Sequence, residues 1–266
     1  MLKKYFSLTK AGILESLQFR LSFIVLIFGN LLYLTLIYFL WKSIYASANT
    51  DVVNGMTFEQ TMIYLVLATA LCNFMEMYTV WDIGRDIQSG KIVLHLLRPM
   101  RFKSYTFWSC SGALIVNFVA TFIPTMLIVM LITHGTIPIG INLLYFAIAV
   151  VLGIIINYNI DFIISAVCIY TESIWGINIM KQVVIALLSG ATIPLAFFPD
   201  KVLKIVNVLP FKSIYDTPLT LLLDGSGDAA TAGSKLLFSL AWALGISIIS
   251  TLFWNFSIKR ITVNGG

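Results

Sequence analysis

Charge is the scarcest commodity in this sequence. Only 11% of its 266 residues are Asp, Glu, Lys or Arg, 59% are hydrophobic, and the mean hydropathy is +0.93. Soluble domains carry about a quarter charged residues, so composition excludes an ordinary water-soluble globule. Cysteine is equally sparse: Cys72, Cys110 and Cys168 are odd in number and scattered, without CxxC spacing. That pattern argues against a disulfide framework, and each fits small-residue packing. Histidine is limited to His95 and His134, far apart in the chain, which argues against a histidine metal site or a hydrolytic triad. There is no GxxxxGK[ST] phosphate loop, no GxGxxG after a strand and no HExxH. No catalytic residue, no metal site and no cofactor of its own are therefore expected.

What fills the chain instead is a series of apolar runs. They are too long and continuous for outer-membrane strands, which alternate in polarity over about ten residues. Helices that satisfy their own backbone remain, so the expected fold class is an all-α polytopic membrane protein. Residues 1–19 set Leu2, Phe6, Ile13 and Leu17 among Lys3, Lys4, Lys10 and Glu15, a helix suited to the membrane interface. This start has no small-residue cleavage site and reads as mature protein, not a signal peptide. Six spans of about the twenty residues that cross a bilayer follow: 21–41, 56–80, 105–133, 141–170, 174–198 and 236–258. His134, Gly135 and Pro138 mark a tight turn between the third and fourth. Residues 199–234, with Pro199, Pro210, Pro218 and the run DGSGDAATAG, read as a long loop with interfacial helices, because Lys201, Lys204 and Lys212 interrupt it.

Six spans put both termini on one side. Twelve of the 17 Lys and Arg residues then fall with the termini, the 2–3 connection and the 4–5 break: Lys3, Lys4, Lys10, Arg20, Arg85, Lys91, Arg98, Arg101, Lys103, Lys181, Lys259 and Arg260. The other five are Lys42, Lys201, Lys204, Lys212 and Lys235. By the positive-inside rule both termini are cytoplasmic. The same clustering at span ends explains the net charge of +5 by topology, so no nucleic-acid partner is expected.

Two features carry chemistry. Residues 82–99 form the long charged interruption of the first two thirds of the chain. Ile83 and Ile87 are four apart and share a helix face, while Asp82, Arg85, Asp86 and Gln88 point elsewhere. Gly90 suits a left-handed C-terminal cap, and Arg98-Pro99 ends a second apolar piece. A plain headgroup-lying loop would explain the basic residues but not the mixed acid and base helix. Inside the fourth span, Asp161 and Asn157 lie on one helix face and Asn159 on another. A carboxylate there costs at least a few kcal/mol unless paired, hydrated or protonated. It either lines a water-filled path or makes an inter-helix contact, for example with Lys181.

The segments Gly90-Lys91-Ile92 with Leu96-Leu97-Arg98-Pro99, and Ile193-Pro194-Leu195 through Phe198-Pro199 with Leu209-Pro210-Phe211, together with the whole span pattern, make the chain resemble the ABC-2 type transporter permeases of the compact bacterial branch. The resemblance implies the membrane-spanning permease subunit of an ATP-binding cassette exporter, a multi-pass protein of the bacterial cytoplasmic membrane that touches membrane lipid. It implies that ATP and Mg are bound by a separate ATPase subunit, and that a second permease chain, identical or related, completes the complex. It implies that Asp82, Ile83, Arg85, Asp86, Gly90 and Arg98 form the coupling contact with the ATPase. It also implies that Pro194, Phe198, Pro199 and Pro210 belong to a partly re-entrant outer gate. Asn157 and Asp161 are the candidate lining of the translocation path. Two other classes remain open from the residues: an ion-coupled secondary transporter using Asp161, and, more weakly, a lipid-modifying membrane enzyme.

Overall fold

In a computed structural model of the chain, described for residues 2–18, 20–48, 50–133, 140–171, 174–224 and 227–260, nearly every element is a helix. The all-α polytopic membrane architecture expected from composition is the one observed. Helix α1 (Leu2–Gln18) precedes α2 (Arg20–Ala48), which at 1.5 Å per residue is about 44 Å long and reaches past the hydrocarbon core. A two-residue hairpin follows, β1 (Val52–Val53) against β2 (Met56–Thr57), closed by Asn54 at φ 49° and Gly55 at φ 81°. Asn-Gly is the pair whose positive φ values match a tight hairpin turn.

Helix α3 (Phe58–Met75) opens on a capping box, with the Thr57 hydroxyl accepting from Gln60 N–H and the Gln60 side chain accepting from Thr57 N–H. Together they satisfy two of the donors that a helix start leaves orphaned. α3 ends at Glu76, whose ψ of 125° is extended, and the chain restarts as α4 (Thr79–Gln88), followed by the single turn α5 (Ile92–Leu96). Next come α6 (Phe102–Asn117), a π-helical segment over Phe118–Phe122, and α7 (Ile123–Ile132). The π turn has a cause in the sequence: Pro124 has no N–H to give the carbonyl four residues back, and a one-residue widening accommodates the loss.

Helix α8 (Ile141–Val167) is the centre of the bundle, with Ile156, Phe162 and Ala166 fully buried. α9 (Ile174–Leu188) is an apolar helix of only 15 residues, within the span expected at 174–198. Among the described residues five helical stretches, Ile27–Ala48, Phe58–Gln88, Phe102–Ile132, Ile141–Val167 and Ala229–Arg260, are long and apolar enough to cross a membrane. After α9 a 3-10 turn at Leu195–Phe197 leads to α10 (Asp200–Val208), a second 3-10 turn at Phe211–Ser213, α11 (Asp216–Leu223) and α12 (Ala229–Ser257). The expected turn at His134, Gly135 and Pro138 lies outside the described residues.

Helix α12 runs along α8 through small and hydroxylated residues. Ser250 Oγ donates to Asn159 Oδ1 at 2.6 Å, and Trp254 lies 4.8 Å from both the Phe102 and Phe162 rings. α1 meets α6 backbone to backbone: a Cβ added at Gly112 would lie 2.4 Å from Ile13 N, and one at Gly12 would lie 2.5 Å from Ser109 O. Thr9 and Ser111 hydroxyls are 2.8 Å apart across this contact. The outside of the bundle is apolar, with Leu31, Leu36, Leu131, Leu237, Ile248 and Leu252 all exposed, as a lipid-facing surface must be.

Candidate functional site

The sequence feature with most charge became α4, and it starts earlier than its charges suggest, at Thr79. One face is packed: Thr79, Val80, Ile83 and Gly84 are buried, and a Cβ on Gly84 would meet the Ile174 side chain at 2.8 Å. Gly84 is thus where the start of α9 presses on α4. The other face is polar and open. Asp82 and Arg85 pair at 3.0 Å with side chains 55% and 69% exposed, an arrangement worth about 0–1 kcal/mol. Their charge does little for the fold. The helix ends as anticipated at Gly90, whose φ of 72° is left-handed and whose N–H donates to Ile87 O at 3.1 Å.

Of the residues named for the coupling contact, Asp82, Arg85, Gly90 and Arg98 are exposed, while Ile83 is 2% exposed and faces the bundle core. Asp86 turns back along the segment: its Oδ2 lies 3.1 Å from His95 Nε2. His95 in turn sits 5.5 Å from the Tyr105 ring, over whose face Arg98 places its guanidinium at 4.3 Å. These contacts tie α4 and α5 to the first turn of α6.

Glu76 stands at the joint between α3 and α4. Asn157 Nδ2 donates to Met75 O at 3.1 Å, so the last carbonyl before that joint is held by α8. One helical turn further along α8, Asp161 Oδ1 accepts from Lys181 Nζ of α9 at 2.8 Å, with side chains 1% and 10% exposed. Asp161 Oδ2 is buried with no hydrogen-bond partner among the described residues. Sequence spacing placed Asn157 and Asp161 on one face and Asn159 on another. That separation is real: Asn159 turns to α12 while the other two face α3 and α9. These groups border a cavity of about 400 Å³ whose lining includes Asn73, Glu76, Asn157, Asp161, Lys181 and Tyr215. That Glu76 and Tyr215 both border it was not legible in the sequence, because one is placed by a chain break and the other by a long connection.

Tyr215 comes from the connection between α9 and α12. That connection reaches the middle of α8: a Cβ on Gly153 would lie 3.0 Å from Ile214 O and 3.1 Å from Ser213 O. It is fastened at Gly190, which has φ 80°. The Tyr64 hydroxyl lies 3.0 Å from Gly190 O and 3.2 Å from Asp216 Oδ1, and Asp216 N–H donates to Ser189 O at 3.1 Å. Of the four named gate residues, Pro194 and Pro210 are buried, Phe198 is half-buried and Pro199 is exposed at the start of α10. The neighbouring Phe197, which the sequence did not single out, has its ring 4.6 Å from that of Trp41 on α2. Among the described residues no group of three His, Cys, Asp or Glu side chains could hold a metal ion.

No curated protein matches the chain. A family described as "ABC-2 family transporter protein" matches residues 31–265. That match takes in every element from the middle of α2 to beyond α12, including the amphipathic α4, the polar cavity and the connection that covers it. The chain is an integral membrane transport protein and belongs to the ABC-2 transporter family.

Proposed function

We propose that the chain is the permease subunit of an ATP-binding cassette exporter of the bacterial cytoplasmic membrane, with both termini in the cytoplasm, and that α4 is its coupling helix. The family supplies the coarse statement, a membrane permease that works with ATP-binding subunits. The finer reading rests on one observation: α4 buries Thr79, Val80, Ile83 and Gly84 and turns Asp82, Arg85, Gln88 and Ser89 outward. A short helix clamped on one face and charged on the other is a lever with a free handle. The partner ATPase, which holds ATP and Mg, grips the handle through Asp82 and Arg85, with Gly90 and Arg98 on the flank. Ile83 and Asp86 fix the lever to the bundle. A second permease chain, identical or related, completes the path.

The lever has somewhere to push. Three residues separate α3 from α4, and the first of them, Glu76, borders the polar cavity. Displacing α4 moves Glu76 and the Met75 carbonyl that Asn157 holds. The connection after α9 contributes Ala191, Thr192 and Tyr215 to the cavity wall, and the Pro194–Pro210 segment between them is read as a gate on the outer face.

Exchanging the charges of the exposed pair, Asp82→Arg with Arg85→Glu, keeps an ion pair within the helix but inverts what a partner meets. Like-charge juxtaposition at an interface costs several kcal/mol. The expected result is at least a tenfold loss of ATPase co-purification from membranes, with insertion and detergent extraction unchanged. Undiminished co-purification would remove α4 as the coupling helix.

A further inference from the structure

We infer that the groove running along the bundle between α6–α7 and α8 is a binding site for an anionic phospholipid, with the headgroup at Arg101 and Lys103 and an acyl chain laid along the groove. Placing that lipid in the inner leaflet rests on the orientation proposed above, but the site stands on its own geometry.

The groove has two parts, of about 730 and 980 Å³, each of the size in which ligand sites are found, about 300–1,000 Å³. They join at Phe107, Trp108 and Ile155, which line both. The larger part is apolar except for Ser111, whose hydroxyl is engaged by Thr9 and by the Trp108 carbonyl. Its floor is a row of stacked rings, Phe118 to Phe122 at 5.6 Å and Phe122 to Phe146 at 5.5 Å. Its rim is aliphatic and open, with Ile115, Leu127, Leu143 and Val151 exposed. Along α8 this part extends from Ile155 to Leu143, about 18 Å by helix rise. One leaflet's share of the hydrocarbon core is about 15 Å deep, so the groove has the length of an acyl chain in a single leaflet.

Length and apolarity alone select nothing, because lipid tails are as apolar as leucine. Selection comes from the smaller part. Arg101 and Lys103 border it, and among the described residues no Asp or Glu borders either part. Lys103 Nζ donates to Ser247 O at 3.0 Å, Ser250 Oγ at 2.6 Å and Thr251 Oγ1 at 2.9 Å. Those neutral oxygens fix the ammonium in place and leave its charge uncompensated. Arg101 is exposed, and among the described residues neither cation pairs with a carboxylate. Its guanidinium fork matches a phosphate through two parallel N–H donors. A free phosphate would answer the charges and leave the apolar part empty. A neutral lipid would fill the apolar part and leave the charges unanswered. A phospholipid of net negative charge does both, as in other basic pockets between helices on the cytoplasmic side of a membrane. Leu96 of α5 also borders the smaller part, so the headgroup would sit where the α4–α5 segment returns to the bundle.

The test uses the full-length chain in mild detergent, titrated with phosphatidylglycerol or with phosphatidylcholine of the same acyl chains. Native mass spectrometry counts the lipids retained on each species. The wild-type chain is expected to prefer phosphatidylglycerol at least tenfold, each cation contributing about fivefold, the equivalent of about 1 kcal/mol. Arg101→Gln should reduce that preference about fivefold. Val151→Trp, which fills the groove from its exposed rim, should abolish retention of phosphatidylglycerol. Equal retention of the two lipids by the wild-type chain overturns the proposal, whatever the variants do. So does an unchanged preference in folded Arg101→Gln, or unchanged retention in folded Val151→Trp. Displacement of phosphatidylglycerol by millimolar inorganic phosphate would also overturn it, marking a free-anion site. Phosphatidylglycerol carried by monomers but never by dimers would do the same, marking the groove as a contact between two copies of the chain. Detergent has no inside or outside and no ATPase is present, so a failure of the proposed orientation or of α4 as coupling helix leaves this result untouched.

Discussion

Replacing Lys181 by Met removes the cation from the Asp161 pair and leaves the carboxylate in place. The pair is buried: 2.8 Å from Nζ to Oδ1, with side chains 10% and 1% exposed. Removing one partner of such a pair costs about 3–5 kcal/mol, because the other charge is stranded, whereas replacing both with neutral groups of similar size is close to neutral or even stabilising. The expectation is therefore a cycle of strong coupling. Lys181→Met alone and Asp161→Asn alone each lose about 3 kcal/mol or more, and the double variant recovers most of it. The assay is unfolding of purified protein in mixed micelles as denaturing detergent is raised, read by tryptophan fluorescence. Arg85→Ala is the internal control, since the exposed pair it breaks is worth at most about 1 kcal/mol. If Lys181→Met unfolds at the same detergent fraction as wild type, the reasoning fails. Asp161 would then be kept by protonation or by water in the cavity, and the ion pair would be incidental.

Two further outcomes follow from backbone and capping geometry. Gly190→Ala places a Cβ 2.7 Å from the Tyr64 hydroxyl at a φ of 80°; strain of about 1–3 kcal/mol should loosen the connection, seen as faster amide exchange over α11 with α3 unchanged. At the start of α12, the Thr231 hydroxyl and the N–H groups of Ala230 and Thr231 hold the exposed Asp228 carboxyl below its ordinary value. A depressed value means the cap contributes fully above the ordinary carboxylate range and is lost as pH falls through the folded value. Acidification below about pH 4 should raise exchange, corrected for intrinsic rate, in the first turn of α12. Asp228→Asn should flatten that dependence.

Much of this arrangement could be read from residue types, and the exceptions share a cause. The amphipathic pattern of Ile83 and Ile87 and the left-handed Gly90 gave α4 its faces and its end. Its beginning was set too late, because Thr79, Val80 and Trp81 continue the apolar run of α3 and nothing local marks the extended Glu76. The Asp161–Lys181 contact was one of two readings, and the expense of a lone carboxylate made it a natural one. The π turn in the third span was not anticipated, although Pro124 is the residue that accounts for it. What the sequence could not convey is how far the connection after α9 travels inward. Its Lys201, Lys204 and Lys212 read as surface chemistry, and Lys201 and Lys204 are indeed exposed. The depth is set instead by Gly153, a residue in another helix whose missing side chain admits Ser213 and Ile214.

The glycine contact between α1 and α6 has a mechanical meaning. Backbones that touch at Gly12 and Gly112 cannot slide past one another without a clash, and they cannot separate without opening a void and breaking the Thr9–Ser111 hydroxyl contact. α1 therefore behaves as an outrigger on α6. α6 is also the helix whose first turn receives the α4–α5 segment through His95, Arg98 and Tyr105. If α1 lies in the headgroup layer, as its Phe6, Leu14 and Leu17, all exposed, would suit, a stroke delivered at α4 in the proposed coupling role would swing it through that layer. The lipid surface would then resist the motion like a keel in water, and its composition would set how stiffly the protein turns.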